Sequence, residues 1–246
     1  MNFVDQIKKV KEQELADKKK IRRNFLQKVT TPRAGDIGLI AEIKLTAPSS
    51  GKLGERSEVL SRIRRYEQGG ADALSVVVDK SYFNGDMGLL LQISQSTTLP
   101  ILCKDFVIDE YQIYEAKIFG ADAVLLIAGL LNAEKLKEFV KLVISLGMEP
   151  VVEFSQKNEL KKAMESGAKA IAANARSFTD LSVDVDRACR LLELVPDKFV
   201  KLGFSGIKSH EEVVKYKNAG AKAVLVGTRL MKEKNIELFI KNLKST

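Results

Sequence analysis

Short apolar runs recur along the chain, and each is followed by a helical stretch. Eight of them lie near residues 39–44, 73–78, 100–104, 123–127, 150–154, 170–174, 199–203 and 223–227. They lack the strict apolar–polar alternation of a strand with one wet face, which is typical of parallel strands covered by helices. The pattern therefore predicts eight β-strands that alternate with helices.

An internal repeat supports this prediction. The runs GADALSVVV, GADAVLLIA, GAKAIAANA and GAKAVLVGT begin at residues 70, 120, 167 and 220, a spacing of about 50 residues. In each copy a glycine that can end a helix in the left-handed conformation comes directly before a strand. Eight βα units predict one α/β domain over residues 1–246, a closed (β/α)8 TIM barrel, with residues 1–36 as a helical N-terminal extension. The alternative is an open, doubly wound sheet.

Composition narrows the class of protein. With 246 residues and 45% apolar composition, the chain can bury a large core. No apolar run approaches the roughly 20 residues of a membrane span, and the charged N-terminus is unlike a signal peptide, so we expect a cytoplasmic protein without a membrane partner. The spacing of Cys103 and Cys189 indicates neither a metal site nor a disulfide framework.

The formal net charge of +8 raises the question of nucleic-acid binding. The densest basic run, DKKKIRR at residues 17–23, follows acidic residues and is typical of a solvated amphipathic helix. No helix-turn-helix, zinc or aromatic RNA-binding pattern accompanies it, so we expect no nucleic-acid partner. A basic surface also attracts phosphorylated metabolites.

Polar residues gather where five of the predicted strands end. In such a barrel, catalytic groups come from the carboxyl ends of the strands and from the loops that follow them. Buried charges are costly unless they are paired or used. Two lysines and two carboxylates in one pocket would supply a general acid and a general base. The residues are Glu42 and Lys44, Lys104 and Asp105, Glu153, Asn174 and Arg176, and Ser205 and Gly206.

The last two loops indicate the ligand. FSGIKS at 204–209 and VGTRLM at 226–231 place small residues after the seventh and eighth strands, where barrels usually bind phosphate through backbone N–H groups. The sequence therefore predicts a small phosphorylated substrate.

Several of these segments together resemble the indole-3-glycerol phosphate synthase family. They are AEIK with its Pro-Ser loop, LCKDFVIDEYQIYEAKIFGADAVLLI, PVVEF, NAR, SGI and VGTRLM. The resemblance covers nearly the whole chain and implies a lyase of tryptophan biosynthesis. Its substrate, 1-(o-carboxyphenylamino)-1-deoxyribulose 5-phosphate, undergoes ring closure, decarboxylation and dehydration. It implies no cofactor and no metal, and we expect a monomer or weak dimer.

The resemblance also assigns roles. It implies that Lys104 is the general acid, that Glu153 takes part in the acid–base chemistry of dehydration and that Lys44 holds the substrate carboxylate. The other assigned residues are Glu42 and Asn174 as orienting groups, Ser205, Gly206, Gly227 and Thr228 as the phosphate site, and Arg176 and Phe106 as further substrate contacts.

Some positions depart from the family pattern. Phe204 stands where the family has a glutamate, Leu45 and Ala47 replace a basic residue and a hydroxyl, and Asp79 stands where a Thr-Glu pair is typical. The departures leave open a slow synthase, a related or engineered barrel with a more apolar pocket and a different ligand, and a non-enzymatic structural or nucleic-acid partner.

Overall fold

The computed structural model describes residues 5–10, 12, 23–178 and 180–245. Eight parallel strands form a closed barrel in which β1 pairs with both its chain neighbour β2 and the last strand β8. The open-sheet alternative is therefore wrong. The strands are β1 (Gly38–Ile43), β2 (Ala73–Val77), β3 (Ile101–Lys104), β4 (Ala123–Ile127), β5 (Glu149–Phe154), β6 (Ala170–Asn174), β7 (Val200–Phe204) and β8 (Ala223–Val226).

The α-helices of the described residues from Phe25 onwards precede, connect or follow the strands, and most of them cover the outside of the barrel. They are α1 (Phe25–Thr30), α2 (Val59–Gly69), α3 (Lys80–Phe83), α4 (Met87–Ser94), α5 (Glu110–Ile118), α6 (Ala133–Ser145), α7 (Lys157–Met164), α8 (Val185–Glu193), α9 (His210–Asn218), α10 (Thr228–Lys232) and α11 (Ile236–Lys244), with a 3₁₀ turn at Arg56–Glu58. The first glycine of each repeat has a φ between 90° and 96°. Glycine is used there because this conformation is unfavourable for residues with a Cβ.

The barrel has two cores. One lies between the strands and the surrounding helices, and the other fills the barrel interior. Phe25 and Val29 of α1 belong to the interior core and are almost fully buried. Arg23, just before α1, contacts Asp122 at 2.9 Å, and Asp122 directly precedes β4. Helix α1 therefore closes the amino-terminal end of the barrel, opposite the end where the predicted site lies.

Two further features were not predicted. The first βα loop forms a short antiparallel hairpin of Thr46–Ala47 with Gly51–Lys52. The last helix, α11, is tied to the amino-terminal end by Lys244, whose Nζ lies 2.6 Å from a carboxylate oxygen of Asp72. Both of these ion-pair partners are buried.

Parts of the predicted N-terminal extension can be compared with the structure. Residues 5–10 and α1 are helical, whereas the basic run at 17–23 lies outside the described residues except for Arg23. Among the helices of the described ranges, none has the length and apolar content that a membrane crossing requires. The assignment of residues 1–246 to one domain stays a prediction.

Candidate active site

A cavity of about 420 Å³ opens at the carboxyl ends of the strands. Every residue that the sequence analysis assigned to catalysis or substrate binding lines it: Glu42, Lys44, Lys104, Phe106, Glu153, Asn174, Arg176, Ser205, Gly206, Gly227 and Thr228. These residues come from β1, β3, β5, β6 and the loops after them, and from the loops after β7 and β8. The closed barrel brings together groups that are far apart in sequence.

Glu42 lies between the two lysines of the cavity. Its Oε1 is 2.6 Å from Nζ of Lys44, and its Oε2 accepts a hydrogen bond of 3.1 Å from Nζ of Lys104. Burial alone would raise the pKa of Glu42, but the charges of Lys104 and Lys44 outweigh it and lower the pKa to about 2. Glu42 is therefore ionised at neutral pH and orients both ammonium groups.

Lys104 also interacts with the second carboxylate of the cavity. Burial works to lower the pKa of Lys104, yet the charges of Glu42 and Glu153 raise it above its usual range. The side chain is still partly open, with 21% of its surface exposed to solvent. Lys104 is a protonated group that a ligand in the cavity can reach, as a proton donor must be.

Glu153 has a different environment from Glu42. Its Oε1 accepts a hydrogen bond of 2.9 Å from Nδ2 of Asn174, and its Oε2 is buried without a hydrogen-bond partner among the described residues. Burial raises the pKa of Glu153, although Lys104 and Asn174 oppose the rise. The lysine charges thus favour the ionised form of Glu42, whereas burial disfavours the ionised form of Glu153.

Small residues in the loops that follow β7 and β8 form one side of the cavity. Ser205 and Gly206 have left-handed φ values of 69° and 82°. A Cβ on Gly227 would overlap Oε1 of Glu42 and lie close to Nζ of Lys44, so a larger residue there would push the Glu42 carboxylate away from its place beside Lys44. Three basic residues on the same side also line the cavity: Lys208, Arg229 and Lys232.

Three further predicted residues, Arg176, Phe106 and Asp105, also line the cavity, and each contacts residues outside the group of lysines and glutamates. Nη1 of Arg176 donates to the carbonyl oxygen of Leu181 at 2.8 Å, so the guanidinium is held by its own loop. The ring of Phe106 packs near Tyr82 and Phe83, with centroids 6.4 and 6.3 Å away. Asp105, a candidate from its place at a strand end, accepts from Nε2 of Gln112 at 3.0 Å and from the backbone N–H of Phe106. Asp105 thus supports the local turn.

Three of the four positions that depart from the family pattern, Leu45, Ala47 and Phe204, are buried. Phe204 has no exposed surface, and its ring lies 6.0 Å from Nζ of Lys104. Leu45 and Ala47 are 5% and 6% exposed. Asp79 lines the cavity and also caps α3, accepting from the backbone N–H groups of Tyr82 and Phe83. At 45, 47 and 204, where the resemblance implies polar residues, this chain has apolar side chains that pack into the protein.

Sequence reasoning missed the residues that support the site from behind. Nη2 of Arg187 on α8 donates to the carbonyl oxygen of Ala175 at 2.8 Å. Oη of Tyr216 on α9 donates to the carbonyl oxygen of Phe204 at 3.0 Å. Phe83 and Phe178 of the cavity wall were also missed. No motif marks these residues, because their contacts depend on how each helix docks on the barrel.

Comparison with known proteins identifies the family that the chain matches. A sequence model described as indole-3-glycerol phosphate synthase matches residues 2–243. The chain is 36% identical to the indole-3-glycerol phosphate synthase of Caldanaerobacter subterraneus subsp. tengcongensis, covering 98% of this chain and 99% of that protein. It is 40% identical to that of Lacticaseibacillus paracasei, covering 90% and 87%.

Solved structures show the same fold at low sequence identity. The crystal structure of 3-hexulose-6-phosphate synthase from Salmonella typhimurium has a TM-score of 0.68 and 14% identity, covering 85% of this chain and 97% of that chain. The thiamine phosphate pyrophosphorylase from Pyrococcus furiosus has a TM-score of 0.62 and 16% identity, covering 85% and 94%. At this identity the likeness concerns the barrel fold alone.

Proposed function

The chain belongs to the indole-3-glycerol phosphate synthase family, and from this premise we propose how its own residues carry out the family's reaction. The activity is that of a carboxy-lyase of tryptophan biosynthesis, acting on a small phosphorylated substrate. The observation that carries the residue assignment is the arrangement of Lys44 and Lys104 around ionised Glu42, with Glu153 and Asn174 in the same cavity. These residues supply acid, base and anion-binding groups without a metal or cofactor.

Lys104 is the general acid for ring closure. The reaction joins an aromatic carbon of the substrate to the ribulose carbonyl carbon, and the carbonyl oxygen gains a proton to become a hydroxyl group. Lys104 is protonated, partly open to the cavity and held by Glu42 at 3.1 Å. Proton delivery by a positioned group typically contributes about 10²- to 10⁴-fold to the rate.

Glu153 takes part in the final dehydration. After carbon dioxide has left, the new hydroxyl group departs as water and a proton is lost from the ring system. Burial raises the pKa of this carboxyl group, which helps it to hold and pass on a proton, and its Oε2 has no hydrogen-bond partner among the described residues. Asn174 fixes the other carboxyl oxygen through its 2.9 Å hydrogen bond.

The two charged groups of the substrate bind to different residues of the cavity. Lys44, paired with Glu42, binds the carboxylate that is lost as carbon dioxide. Ser205, Gly206, Gly227 and Thr228 bind the phosphate, and Arg176 and Phe106 contact the body of the substrate. Lys208 and Lys232 line the phosphate side and add favourable charge there.

The charged residues that remain in the cavity favour a slower synthase over a different chemistry. Phe204 removes an acidic group from beside Lys104, but Glu42 still pairs with both lysines. The second candidate, a barrel of this family that takes a more apolar ligand, is favoured by the same ring and by buried Leu45 and Ala47. We propose the slow synthase because the charged residues assigned to the chemistry all remain.

Turnover tests the proposal directly. The purified protein is mixed with 1-(o-carboxyphenylamino)-1-deoxyribulose 5-phosphate, and indole fluorescence is followed over time. We expect fluorescence to appear in step with carbon dioxide release, and Lys44→Met to raise KM by weakening carboxylate binding. Substrate that binds without either product would contradict the synthase assignment and favour the second candidate.

The remaining expectations concern partners and location. We propose a monomer or weak dimer that binds neither nucleic acid nor membranes and acts in the cytoplasm. The free Cys103 and Cys189 are compatible with a reducing compartment.

A further inference from the structure

The turn after β7 is held from behind by a side chain that lies outside the cavity. Tyr216 of α9 is fully buried, and its Oη lies 3.0 Å from the carbonyl oxygen of Phe204 and 3.1 Å from that of Ser205. Burial raises the pKa of Tyr216 well above its usual range, so the hydroxyl group keeps its proton and can donate. One hydroxyl group therefore spans the junction between the strand and the loop.

The strand makes room for this ring at Gly203. A Cβ at that position would stand 2.3 Å from Cδ1 and 2.6 Å from Cγ of Tyr216. These atoms belong to the fixed part of an aromatic ring, which cannot move aside as a flexible chain end can. Glycine weakens a strand interior and often marks a close approach, so Gly203 and Tyr216 form a complementary pair.

The backbone that Tyr216 contacts is strained. Ser205 has a φ of 69°, a left-handed conformation that residues with a Cβ rarely adopt. Such a conformation persists when the surroundings hold it from several sides. The Phe204 carbonyl belongs to the peptide before Ser205 and the Ser205 carbonyl to the peptide after it, so Tyr216 restrains both. The Phe204 oxygen also accepts the backbone N–H of Ala175 at 2.8 Å, which ties the junction to β6.

These contacts set the direction of two donors. In a planar trans peptide, the C=O and N–H bonds point in opposite directions. Because both carbonyl oxygens are turned towards Tyr216 on α9, the N–H groups of Ser205 and Gly206 are turned away from that helix. Ser205 and Gly206 line the cavity, so this direction suits donation to an anion there.

We propose that Tyr216 is a positioning residue for phosphate binding: it fixes the two peptide planes that flank Ser205 and so aims their N–H groups at a phosphate monoester. The proposal rests on the proposed function, which places the substrate phosphate at this turn. Tyr216 itself does not touch the substrate. Its removal should therefore act on binding of the phosphate group far more than on the chemical step.

The test compares Tyr216→Phe with the wild-type protein in a phosphorus NMR titration with inorganic phosphate. The variant keeps the ring and removes only Oη. Val213→Ala is the matched control, since Val213 is buried on the same helix and has no part in the turn. We expect the Kd for phosphate to rise about three- to tenfold in Tyr216→Phe, the effect of one hydrogen bond, and to stay within about twofold in Val213→Ala.

Steady-state kinetics on the same preparations complete the test. In Tyr216→Phe, KM should rise in proportion to the phosphate Kd, with kcat within about twofold of wild type. An unchanged Kd, or a fall in kcat at constant KM, overturns the role of Tyr216. If the wild-type protein does not bind phosphate, the phosphate site itself has been placed wrongly. This result comes from the wild-type protein alone, so it is distinguishable from a failure of the role proposed for Tyr216.

Discussion

At the scale of single residues, the site depends on how its charges are divided between lysines and carboxylates. Glu42 has two cationic partners and a pKa of about 2, whereas burial raises the pKa of Glu153. Lys104 interacts with both carboxylates. A lysine with a raised pKa, a carboxylate with a lowered pKa and a carboxyl group with a raised pKa thus lie in one cavity, and each can be changed separately.

Lys104→Met should abolish most turnover without unfolding the protein. The variant keeps the length of the side chain and removes its proton, so we expect kcat to fall about 10²- to 10⁴-fold. Glu42 keeps Lys44 at 2.6 Å as a counter-charge, whereas Glu153 loses the charge of Lys104 and should hold a proton more readily in the variant. Lys161→Met, on the surface with 83% of the side chain exposed, is the control. A well-folded Lys104→Met that retains more than a tenth of wild-type kcat would rule out Lys104 as the general acid.

Phe204→Glu should increase synthase activity at some cost in stability. The Phe204 ring centroid lies 6.0 Å from Nζ of Lys104, so a carboxylate near that point can pair with the lysine after a small shift. We expect kcat/KM to rise about tenfold or more, because a charge contact made in the transition state is worth roughly 1.5 to 4 kcal/mol. The melting temperature should fall, since Phe204 packs in the interior core.

Phe204→Leu is the matched control, since it shortens the side chain without adding charge. It should lower the melting temperature with no gain in kcat/KM. Equal activity of the two variants, or a Phe204→Glu that is less stable and no faster, would show that Phe204 belongs to a pocket rebuilt for another ligand.

The residues of the site differ in how well the sequence predicts them. The place of Glu42, Lys44, Lys104 and Glu153 in the cavity was predictable because a charge in or beside an apolar strand needs a reason, while their roles stay predictions. The role of Tyr216 was not predictable, because most aromatic residues on amphipathic helices simply pack in the core. Its contacts with the turn become visible only when the position of the helix on the barrel is known.

At the scale of secondary-structure elements, the strands were predicted to within one residue at each end. The starts of β2, β4, β6 and β8 are sharp because each repeat places a left-handed glycine three residues before a buried run. The hairpin in the first loop was not predicted, because its two-residue strands leave almost no pattern. Helix α1 was expected only as part of an extension that packs on the barrel, and its docking depends on tertiary contacts.

Phe25→Ala should destabilise the barrel and leave its chemistry intact. Phe25 is 1% exposed and fills the amino-terminal end of the interior core, away from the catalytic cavity. Removing a buried phenylalanine side chain costs about 3 to 5 kcal/mol. Urea unfolding should show this loss, with kcat unchanged under folding conditions. Lys28→Ala, exposed on the same helix, should change the free energy of unfolding by less than about 0.5 kcal/mol.

At the scale of the whole molecule, pH couples the site to stability. Glu42 has a pKa of about 2 in the folded protein against an ordinary value of 4.5. A carboxylate whose pKa is depressed by folding stabilises the protein above its unfolded pKa and loses that contribution as pH falls through the folded value. Glu153, with its raised pKa, acts in the opposite direction, because its charged form is disfavoured on folding.

Glu42→Gln should therefore flatten the dependence of stability on pH between about pH 5 and pH 2. The pKa difference corresponds to a contribution on the order of 3 kcal/mol, which the variant lacks, so its free energy of unfolding should lie below wild type at pH 7 and approach it at pH 2. Glu237→Gln is the matched control: Arg65 lowers the pKa of Glu237 to about 2, but this pair lies at the surface. Because solvent screens surface pairs, Glu237→Gln should alter the pH profile much less. The free energy of unfolding of the wild type, Glu42→Gln and Glu237→Gln is measured by urea unfolding at half-unit pH steps. If both substitutions flatten the pH profile equally, burial adds nothing to the contribution of Glu42.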